Sequence, residues 1–216
     1  MTINLQTIAT EHRNENTINL DQMSSLEIIT EMNREDALIA SAIQPHLPNI
    51  SKVIEYCIGA IQQGGRIIYM GAGTSGRLGI LDAVECVPTF STTDEVLGII
   101  AGGEKAFVKA VEGAEDSLTL AQEDLKKINF SQNDVIFGIA ASGRTPYVIG
   151  ALKYAESVGA KKIALSCNKN AKISKYADVA IEIDCGPEIL AGSTRLKAGT
   201  AQKLVLNMIS TGTMIG

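Results

Sequence analysis

Two glycine- and hydroxyl-rich segments of this 216-residue sequence have the composition of loops that bind phosphate groups. The first, GAGTSGR at residues 71–77, follows the apolar run RIIYM, and the second contains SGR at residues 142–144. The hydroxyl side chains that we expect at helix N-caps in these segments are Thr74, Ser75, Ser142 and Thr145. Backbone N–H groups at a helix N-terminus beside such hydroxyls suit a phosphate monoester, and glycine lets the backbone approach it closely. The alternative is that the hydroxyls only cap the helices.

The spacing of Gly71, Gly73 and Gly76 also fits the G-x-G-x-x-G pattern of dinucleotide-binding loops. That fingerprint requires an acidic residue about 20 positions further on, at the end of the next strand. Asp94 and Glu95 instead precede the next predicted strand, and no G-K-[ST] triplet follows Gly76 as in a Walker A loop. The first segment therefore predicts a site for a small phosphate compound.

A third polar cluster, GPEILAGSTRLKAGTAQK, follows the last predicted strand and leads into the final helix. Ser193, Thr194 and Lys197 could add hydroxyls and a cation to the same pocket, and Glu188 could accept hydrogen bonds from sugar hydroxyls. Lys197 could equally be an ordinary solvated residue of that helix.

Carboxylates are the candidate acid–base groups, because both histidines of the sequence lie outside the glycine-rich segments. Glu85 lies in the apolar stretch AVECVPT, and apolar surroundings raise the pKa of a carboxyl group, which suits a general acid. Glu112, Glu115 and Asp116 are crowded, so repulsion between like charges could raise the pKa of one of them. Alternatively, the last two open the next helix and complement its dipole.

Composition excludes several classes of partner. A net charge of −5, 4% aromatic residues and no tryptophan argue against a nucleic acid. The N-terminus lacks the pattern of a signal peptide, and no segment has about 18 consecutive apolar residues, so we expect a cytoplasmic protein with no membrane partner. We expect reduced thiols, mostly in the core, and no metal site from the four scattered cysteines: Cys57, Cys86, Cys167 and Cys185.

The order of predicted elements favours an α/β fold. Residues 1–22 suggest an extended arm, SSLE at 24–27 fits a capping box, and one helix is expected from there to about residue 43. The next helix is expected near 50–62. Strands are predicted near 66–71, 96–101, 134–140, 162–167 and 179–183. Helices are predicted near 76–84, 104–112, 117–127, 146–158 and 198–214.

Because most predicted strands are continuously apolar, they suit a sheet that is covered on both faces. The sequence predicts a doubly wound three-layer sandwich with a mostly parallel five-stranded sheet, preceded by N-terminal helices. Both S-G-R segments follow strands, and the carboxyl ends of parallel strands meet at one edge, so we expect the two loops to face one pocket.

Longer motifs resemble a known family. The stretches IYMGAGTSGRLGILDAVECVPTF, IAGGEKAFVKAVEGAEDS, GIAASGRTPYVIGAL and GSTRLKAGTAQKLVLNMISTGTMI are similar to those of the N-acetylmuramic acid 6-phosphate etherases. The polar opening TEHRNENTINLDQMSSLEIITEMNREDALIASAI also resembles the N-terminus of these enzymes. The family belongs to the sugar-isomerase-domain superfamily, and the resemblance extends over essentially the whole chain.

The resemblance implies cleavage of the D-lactyl ether of N-acetylmuramic acid 6-phosphate by elimination and hydration, without a cofactor, in cell-wall recycling. It matches Glu85 to the family's proton donor and Glu115 to its second catalytic glutamate. It also implies a homodimer. The residues implied in sugar-phosphate binding, together with those named above, are Gly73, Gly76, Arg77, Glu112, Gly143 and Arg144.

The chain ends at TGTMIG, whereas the etherases continue through further helices, so we expect the family's C-terminal helical region to be absent. A final amphipathic helix would then expose an apolar face unless something covered it. The resulting division is an N-terminal arm and helix at 1–50 and a phosphosugar-binding domain at 51–216. A sugar-phosphate-binding module without catalysis and a phosphosugar isomerase remain alternatives.

Overall fold

The computed structural model describes residues 9–216, which form one parallel sheet between two layers of helices. The strands are β1 (Ile67–Gly71), β2 (Val96–Ile100), β3 (Val135–Ile139), β4 (Lys161–Ser166) and β5 (Val179–Glu182). Their order across the sheet is β2-β1-β3-β4-β5, and every neighbouring pair is parallel. The predicted doubly wound sandwich is confirmed, and no strand end differs from its prediction by more than one residue.

The helices cover both faces of the sheet. They are α1 (Ser25–Asp36), α2 (Ile39–Ile43), α3 (Leu47–Gln62), α4 (Gly73–Phe90), α5 (Glu104–Val108), α6 (Leu120–Lys127), α7 (Pro146–Val158) and α8 (Lys197–Ile215). Residues of α3, α4 and α8 form the core on one face, and residues of α6 and α7 form the core on the other. Side chains of every strand are buried, because a parallel sheet in this fold is covered on both sides.

The N-terminal helical region differs from its prediction. The capping box of Ser24 and Glu27 is present, but the expected single helix is broken between α1 and α2. Leu26 and Ile29 on α1 are 70% and 59% exposed, whereas Ile39 is buried in the core. The α2 end of this segment packs on the core.

The expected extended arm is also wrong for its described part; residues 1–8 lie outside the described residues. Three short 3-10 helices follow between residues 9 and 22. Thr17 is buried and its hydroxyl donates to the carbonyl of Ile189, while Asn168 Nδ2 donates to Thr10 Oγ1. These long-range bonds hold a polar segment against the loops at the carboxyl edge of the sheet.

The final helix is largely covered by the chain itself. Val205, Leu206 and Ile209 on α8 are fully buried against the sheet and the neighbouring helices. Of its large apolar side chains, Met208 and Ile215 are exposed. The expected exposed apolar face is therefore confined to a few positions. No helix within residues 9–216 is both long enough and apolar enough to cross a membrane.

Helix α4 lies unusually close to the sheet because glycines line the contact. A Cβ atom on Gly98 of β2 would lie 2.5 Å from Cα of Ile80, and one on Gly79 would lie 2.8 Å from Cβ of Tyr69. Near the start of the helix, a Cβ on Gly76 would lie 2.7 Å from the carbonyl oxygen of Gly71. Only hydrogen fits at these positions, so backbone contacts fix the depth of α4.

Candidate functional site

The two glycine-rich loops lie at the same carboxyl edge of the sheet, but no residue of the second loop lines the cavity beside the first, so the expected shared pocket stays a prediction. They follow β1 and β3, which are hydrogen-bonded neighbours, and Gly71 is paired in register with Ile139. The chain continues from β1 to β2 on one side and from β2 to β3 on the other, so the strand order reverses here. Ligands of doubly wound folds bind where such a reversal opens a crevice.

The first loop differs from its prediction in detail. Helix α4 begins at Gly73 and its N-cap is Ala72, so Thr74 and Ser75 lie inside the first turn. Ser75 is buried and its hydroxyl donates to Gln202 Oε1 at 2.9 Å, pointing toward α8 and away from the loop surface. The N-cap prediction is wrong for both hydroxyls, while Gly73 is exposed and Thr74 is half-buried at the helix N-terminus.

The second loop is not equivalent to the first. Ser142, Gly143 and Arg144 form a turn before α7, whose N-cap is Thr145, and no side-chain capping bond is present there. Gly143 has a φ of +68°, and a Cβ on it would lie 2.4 Å from Cβ of Ala171. Ser142 Oγ accepts a hydrogen bond of 3.4 Å from the N–H of Arg144. The two S-G-R segments thus have the same sequence and different backbones.

A cavity of about 270 Å³ lies beside the start of α4. It brings together the N-terminal turn of that helix and the loop after α5, which carries the crowded acids. Its lining residues are Ala72, Gly73, Arg77, Ala101, Ala106, Ala110, Val111, Glu112, Gly113 and Glu115. Orphan N–H groups of the helix can hold an anion here, and the carboxylates can act as bases toward a ligand held in the cavity.

The acids of this loop do not open the next helix. Glu115 and Asp116 belong to a short 3-10 helix at 114–116, and α6 begins four residues later. Ser117 Oγ accepts a hydrogen bond from the N–H of Leu120 at the start of α6. The predicted helix at 104–112 is shorter than expected, because α5 ends at Val108 and a loop follows.

Arg77 also makes contacts that the sequence did not indicate. Its Nε donates to the carbonyl of Phe107 and its Nη2 donates to the carbonyl of Ala106, both at 2.8 Å. The guanidinium lies at the cavity wall, but these two donors are engaged by the end of α5. Only the remaining N–H groups of the Arg77 guanidinium are therefore available for the predicted contact with a ligand.

Glu85 does not line this cavity. It lies 12 residues after Gly73 on α4, a separation of about 18 Å along a helix axis. The predicted apolar surroundings are wrong within the single chain, because Glu85 is exposed and its neighbours Val84 and Val87 are 58% and 48% exposed. Val84 and Val87 lie with Glu85 on the outer side of α4, so the apolar stretch does not bury the acid.

The third polar cluster is divided between structural contacts and the site. Glu188 is fully buried, and its two oxygens accept hydrogen bonds from the N–H groups of Lys197 and Ala198 at the start of α8. Burial raises the pKa of Glu188, and those two backbone bonds oppose the effect. Glu188 therefore holds a helix terminus, and the prediction of bonds to sugar hydroxyls is wrong for this arrangement.

Lys197 is neither solvated nor part of the cavity that contains Glu115. Its buried ammonium is ion-paired with Glu35 of α1. Both line a separate depression of about 610 Å³ between the N-terminal segment, the break between α1 and α2, and the loop before α8. Ser193 and Thr194 are half-buried in the turn that precedes α8.

A buried polar layer between α4 and α8 was not predicted from the sequence. Asp82 Oδ1 accepts hydrogen bonds from Asn207 Nδ2 at 2.8 Å and from Ser210 Oγ at 3.1 Å. Burial raises the pKa of Asp82, and these bonds oppose the effect. Gln202 belongs to the same interface. The signal in the sequence that could have indicated this layer is the set of polar residues that interrupt the apolar face of the last helix. Within residues 9–216, no group of three or more His, Cys, Asp or Glu side chains is arranged to hold a metal ion.

Comparison with known proteins assigns this arrangement to a family. Residues 49–156 match the family described as the glucokinase regulatory protein N-terminal SIS domain, and residues 116–211 match the SIS domain family. A phosphoheptose isomerase from Francisella tularensis has a similar fold, with a TM-score of 0.69, 16% identity, and coverage of 90% of this chain and 100% of that one. The Vibrio vulnificus NanR protein complexed with ManNAc-6P is similar with a TM-score of 0.59 and 16% identity, over 92% of this chain and 65% of that chain.

A curated relative is much closer in sequence. The N-acetylmuramic acid 6-phosphate etherase of Lactococcus lactis subsp. cremoris is 63% identical over 99% of this chain and 72% of its own length. Together, the parallel sheet, the loops at its carboxyl edge and this identity show that the chain belongs to the N-acetylmuramic acid 6-phosphate etherase family of sugar isomerase domain proteins.

Proposed function

We propose that this chain cleaves the D-lactyl ether of N-acetylmuramic acid 6-phosphate with water, giving N-acetylglucosamine 6-phosphate and D-lactate. The observation that carries the proposal is that Glu115 and the N-terminal turn of α4 line one cavity in a chain of the etherase family. In the cell, the reaction would recycle cell-wall sugars in the cytoplasm. Residues 51–216 would supply the phosphosugar-binding domain, with the preceding segment packed on it.

The substrate phosphate binds at the N-terminus of α4 in this proposal. Gly73 is exposed there, and its N–H and that of Thr74 belong to the first turn, where backbone donors lack partners within the helix. Ser142 and Arg144 in the neighbouring loop, together with Ser193 and Thr194 before α8, are candidates for contacts with the rest of the sugar phosphate. Gly199 brings α8 close to this end, since a Cβ on it would lie 3.5 Å from Thr74 Cγ2.

The chemistry requires a base and an acid. In the open-chain sugar, the C1 aldehyde acidifies the proton on C2, and Glu115 removes that proton as general base. The C3–O bond then breaks, and Glu85 donates a proton to the departing lactate oxygen, which leaves an unsaturated aldehyde. Water adds its oxygen to C3 and a proton returns to C2. No electrons leave the sugar, so the reaction needs no redox cofactor.

The separation of the two glutamates implies that two chains form each site. Glu85 lies about two-thirds of the way along α4, far from the cavity that contains Glu115. Leu81, Val84 and Val87 leave an apolar, exposed surface around it. We infer a homodimer in which this surface is buried and Glu85 of one chain donates its proton in the cavity of the other.

Isotope labelling tests the reaction. The purified chain is incubated with N-acetylmuramic acid 6-phosphate in water enriched in ¹⁸O, and D-lactate and the position of the label are measured. Release of D-lactate with label at C3 of the product is expected. Binding of the sugar phosphate without lactate release would instead support the binding module, and aldose–ketose interconversion without release would support the isomerase.

Mixing two inactive variants tests the shared site. Glu85→Gln and Glu115→Gln should each release no lactate while still binding the sugar phosphate. After the two are unfolded and refolded together, half of the dimers are mixed, and each has one complete site, so about a quarter of the wild-type activity should return. Failure of the mixture to regain activity would show that both glutamates act within one chain or that Glu85 is not catalytic.

A further inference from the structure

The loop that carries the acids is attached to α4 by one arginine. Arg77 lies in the second turn of that helix, and its guanidinium spans the last carbonyls of α5, those of Ala106 and Phe107, at 2.8 Å each. Helix α5 has five residues, and its last backbone hydrogen bond runs from the N–H of Lys109 to the carbonyl of Lys105. The carbonyls of Ala106 and Phe107 therefore accept no hydrogen bond within the helix. A cation at a helix C-terminus satisfies such orphan carbonyls and is favoured by their partial negative charge.

The chain after α5 then folds back on itself. Gly102 has a φ of +90°, and a Cβ on it would lie 2.9 Å from Cβ of Val111. Val111 therefore packs directly on the backbone that precedes α5. The acid loop, which we define as residues 109–116, carries Glu112 and Glu115, whose side chains are exposed. The Arg77 bonds lie just before this loop and the Gly102 contact lies near its start, while Ala114 near its end packs against the layer that contains α7.

We propose that Arg77 is a positioning residue that holds the acid loop, and with it Glu115, against the N-terminal turn of α4, instead of serving chiefly as a phosphate ligand. The forked guanidinium of Arg77 donates to both carbonyls at once, a geometry that its rigid, planar set of donors suits. The kinetic part of this inference rests on the proposed etherase function. Its structural part concerns the order of the loop and stands without it.

A matched arginine provides the control. Arg66, immediately before β1, donates to both carboxylate oxygens of the buried Asp134, immediately before β3, at the amino edge of the sheet and away from the acid loop. Arg66→Lys and Arg77→Lys both replace a planar guanidinium with an ammonium group that makes fewer directed hydrogen bonds. The first change weakens the amino edge of the sheet, and the second weakens the attachment of the acid loop.

Hydrogen exchange tests the structural part without substrate. Amides of residues 104–116 should exchange faster in Arg77→Lys, and faster still in Arg77→Ala, while Arg66→Lys leaves that segment unchanged. Exchange in residues 104–116 that stays at the wild-type rate in Arg77→Ala would overturn the proposal.

Kinetics separates positioning from phosphate binding. In Arg77→Ala we expect kcat for lactate release to fall about 100-fold, because a small displacement of a catalytic group is costly, with the inhibition constant of inorganic phosphate within about twofold of wild type. Added guanidinium ion should restore part of the lost kcat. A raised inhibition constant for phosphate with kcat retained would make Arg77 a phosphate ligand instead. If the wild-type chain releases no lactate, the etherase proposal fails, and the exchange result still decides the role of Arg77.

Discussion

Ser75 Oγ donates a hydrogen bond of 2.9 Å to Oε1 of Gln202, which lies 127 positions further along the chain. Both side chains are buried, and the Nε2 of Gln202 has no hydrogen-bond partner. Through this bond, the glycine-rich loop is tied to the last helix of the fold. A hydroxyl that the sequence suggested for ligand binding therefore contributes to the packing of α4 on α8.

Ser75→Ala should lower the free energy of unfolding by about 1–3 kcal/mol, because it leaves the buried amide of Gln202 without its remaining partner. Urea denaturation measures the loss. The double variant Ser75→Ala, Gln202→Leu should be less destabilised than the sum of the single changes, since it removes both polar groups together. Unchanged stability combined with weaker sugar-phosphate binding would show instead that Ser75 contacts the sugar phosphate.

Two glycine substitutions should have opposite effects on stability. Gly98→Ala should destabilise the protein by about 3 kcal/mol, because the new methyl group would meet the backbone of Ile80 at 2.5 Å and that backbone cannot easily move. Gly59→Ala on α3 meets no atom within 4 Å and should stabilise the protein by about 0.5–1 kcal/mol. Thermal unfolding of both variants tests the pair, and a loss of stability in Gly59→Ala would contradict it.

The four thiols should be unreactive in the folded protein, since all are free and buried. Burial raises the pKa of Cys57 to about 12 and that of Cys86 to about 11, so at pH 8 each is almost entirely protonated. A disulfide reagent that releases a coloured thiolate should therefore react slowly with the native chain. In urea, the same reagent should react with all four cysteines. Rapid reaction of any native cysteine would indicate local opening of the fold.

The buried pair of Glu35 and Lys197 predicts a loss of stability in acid. Burial opposes ionisation of Glu35, but hydrogen bonds from Lys197, Asn14 and Asn16 and the charge of Lys197 together outweigh it, so the pKa of Glu35 lies below its usual value of 4.5. A lowered folded-state pKa gives stability that is fully present above the unfolded value and is lost as the pH falls through the folded value. Unfolding free energies measured from pH 7 to pH 3 should decline in the wild type below about pH 5.

Glu35→Gln is the control for that decline. At pH 7 it should cost about 3 kcal/mol, because it leaves the buried ammonium of Lys197 without a counter-ion. The difference between variant and wild type should then shrink as the pH falls. A difference that stays constant from pH 7 to pH 3 would show that the carboxylate charge of Glu35 does not contribute.

The sheet was predictable from the sequence because its strands are short apolar runs with clear ends. The inequivalence of the two S-G-R segments was predictable too, in hindsight. Pro146 favours the first position of a helix and so sets the start of α7 after Arg144. The first segment has no such proline, and α4 begins before it at Gly73.

The surroundings of Glu85 and Lys197 were not predictable from local sequence. Glu85 is exposed because its apolar neighbours also lie on the outer side of α4, which no sequence pattern distinguishes from a buried side. Lys197 is buried because Glu35, 162 residues earlier, supplies its counter-charge. Such pairings depend on where distant elements meet, and propensity and periodicity carry no information about that.

The close seating of α4 makes the chain's tolerance to mutation uneven. Positions 76, 79 and 98 accept only hydrogen, so most changes there would remove the fold before they altered any chemistry. Most of the loop at 109–116 is exposed, so side chains there other than the packed Val111 can be exchanged with little loss of stability. New specificities can therefore arise in that loop while the helix beside it remains a fixed scaffold, and directed evolution of this enzyme should sample its exposed positions first and keep Glu115, the proposed base.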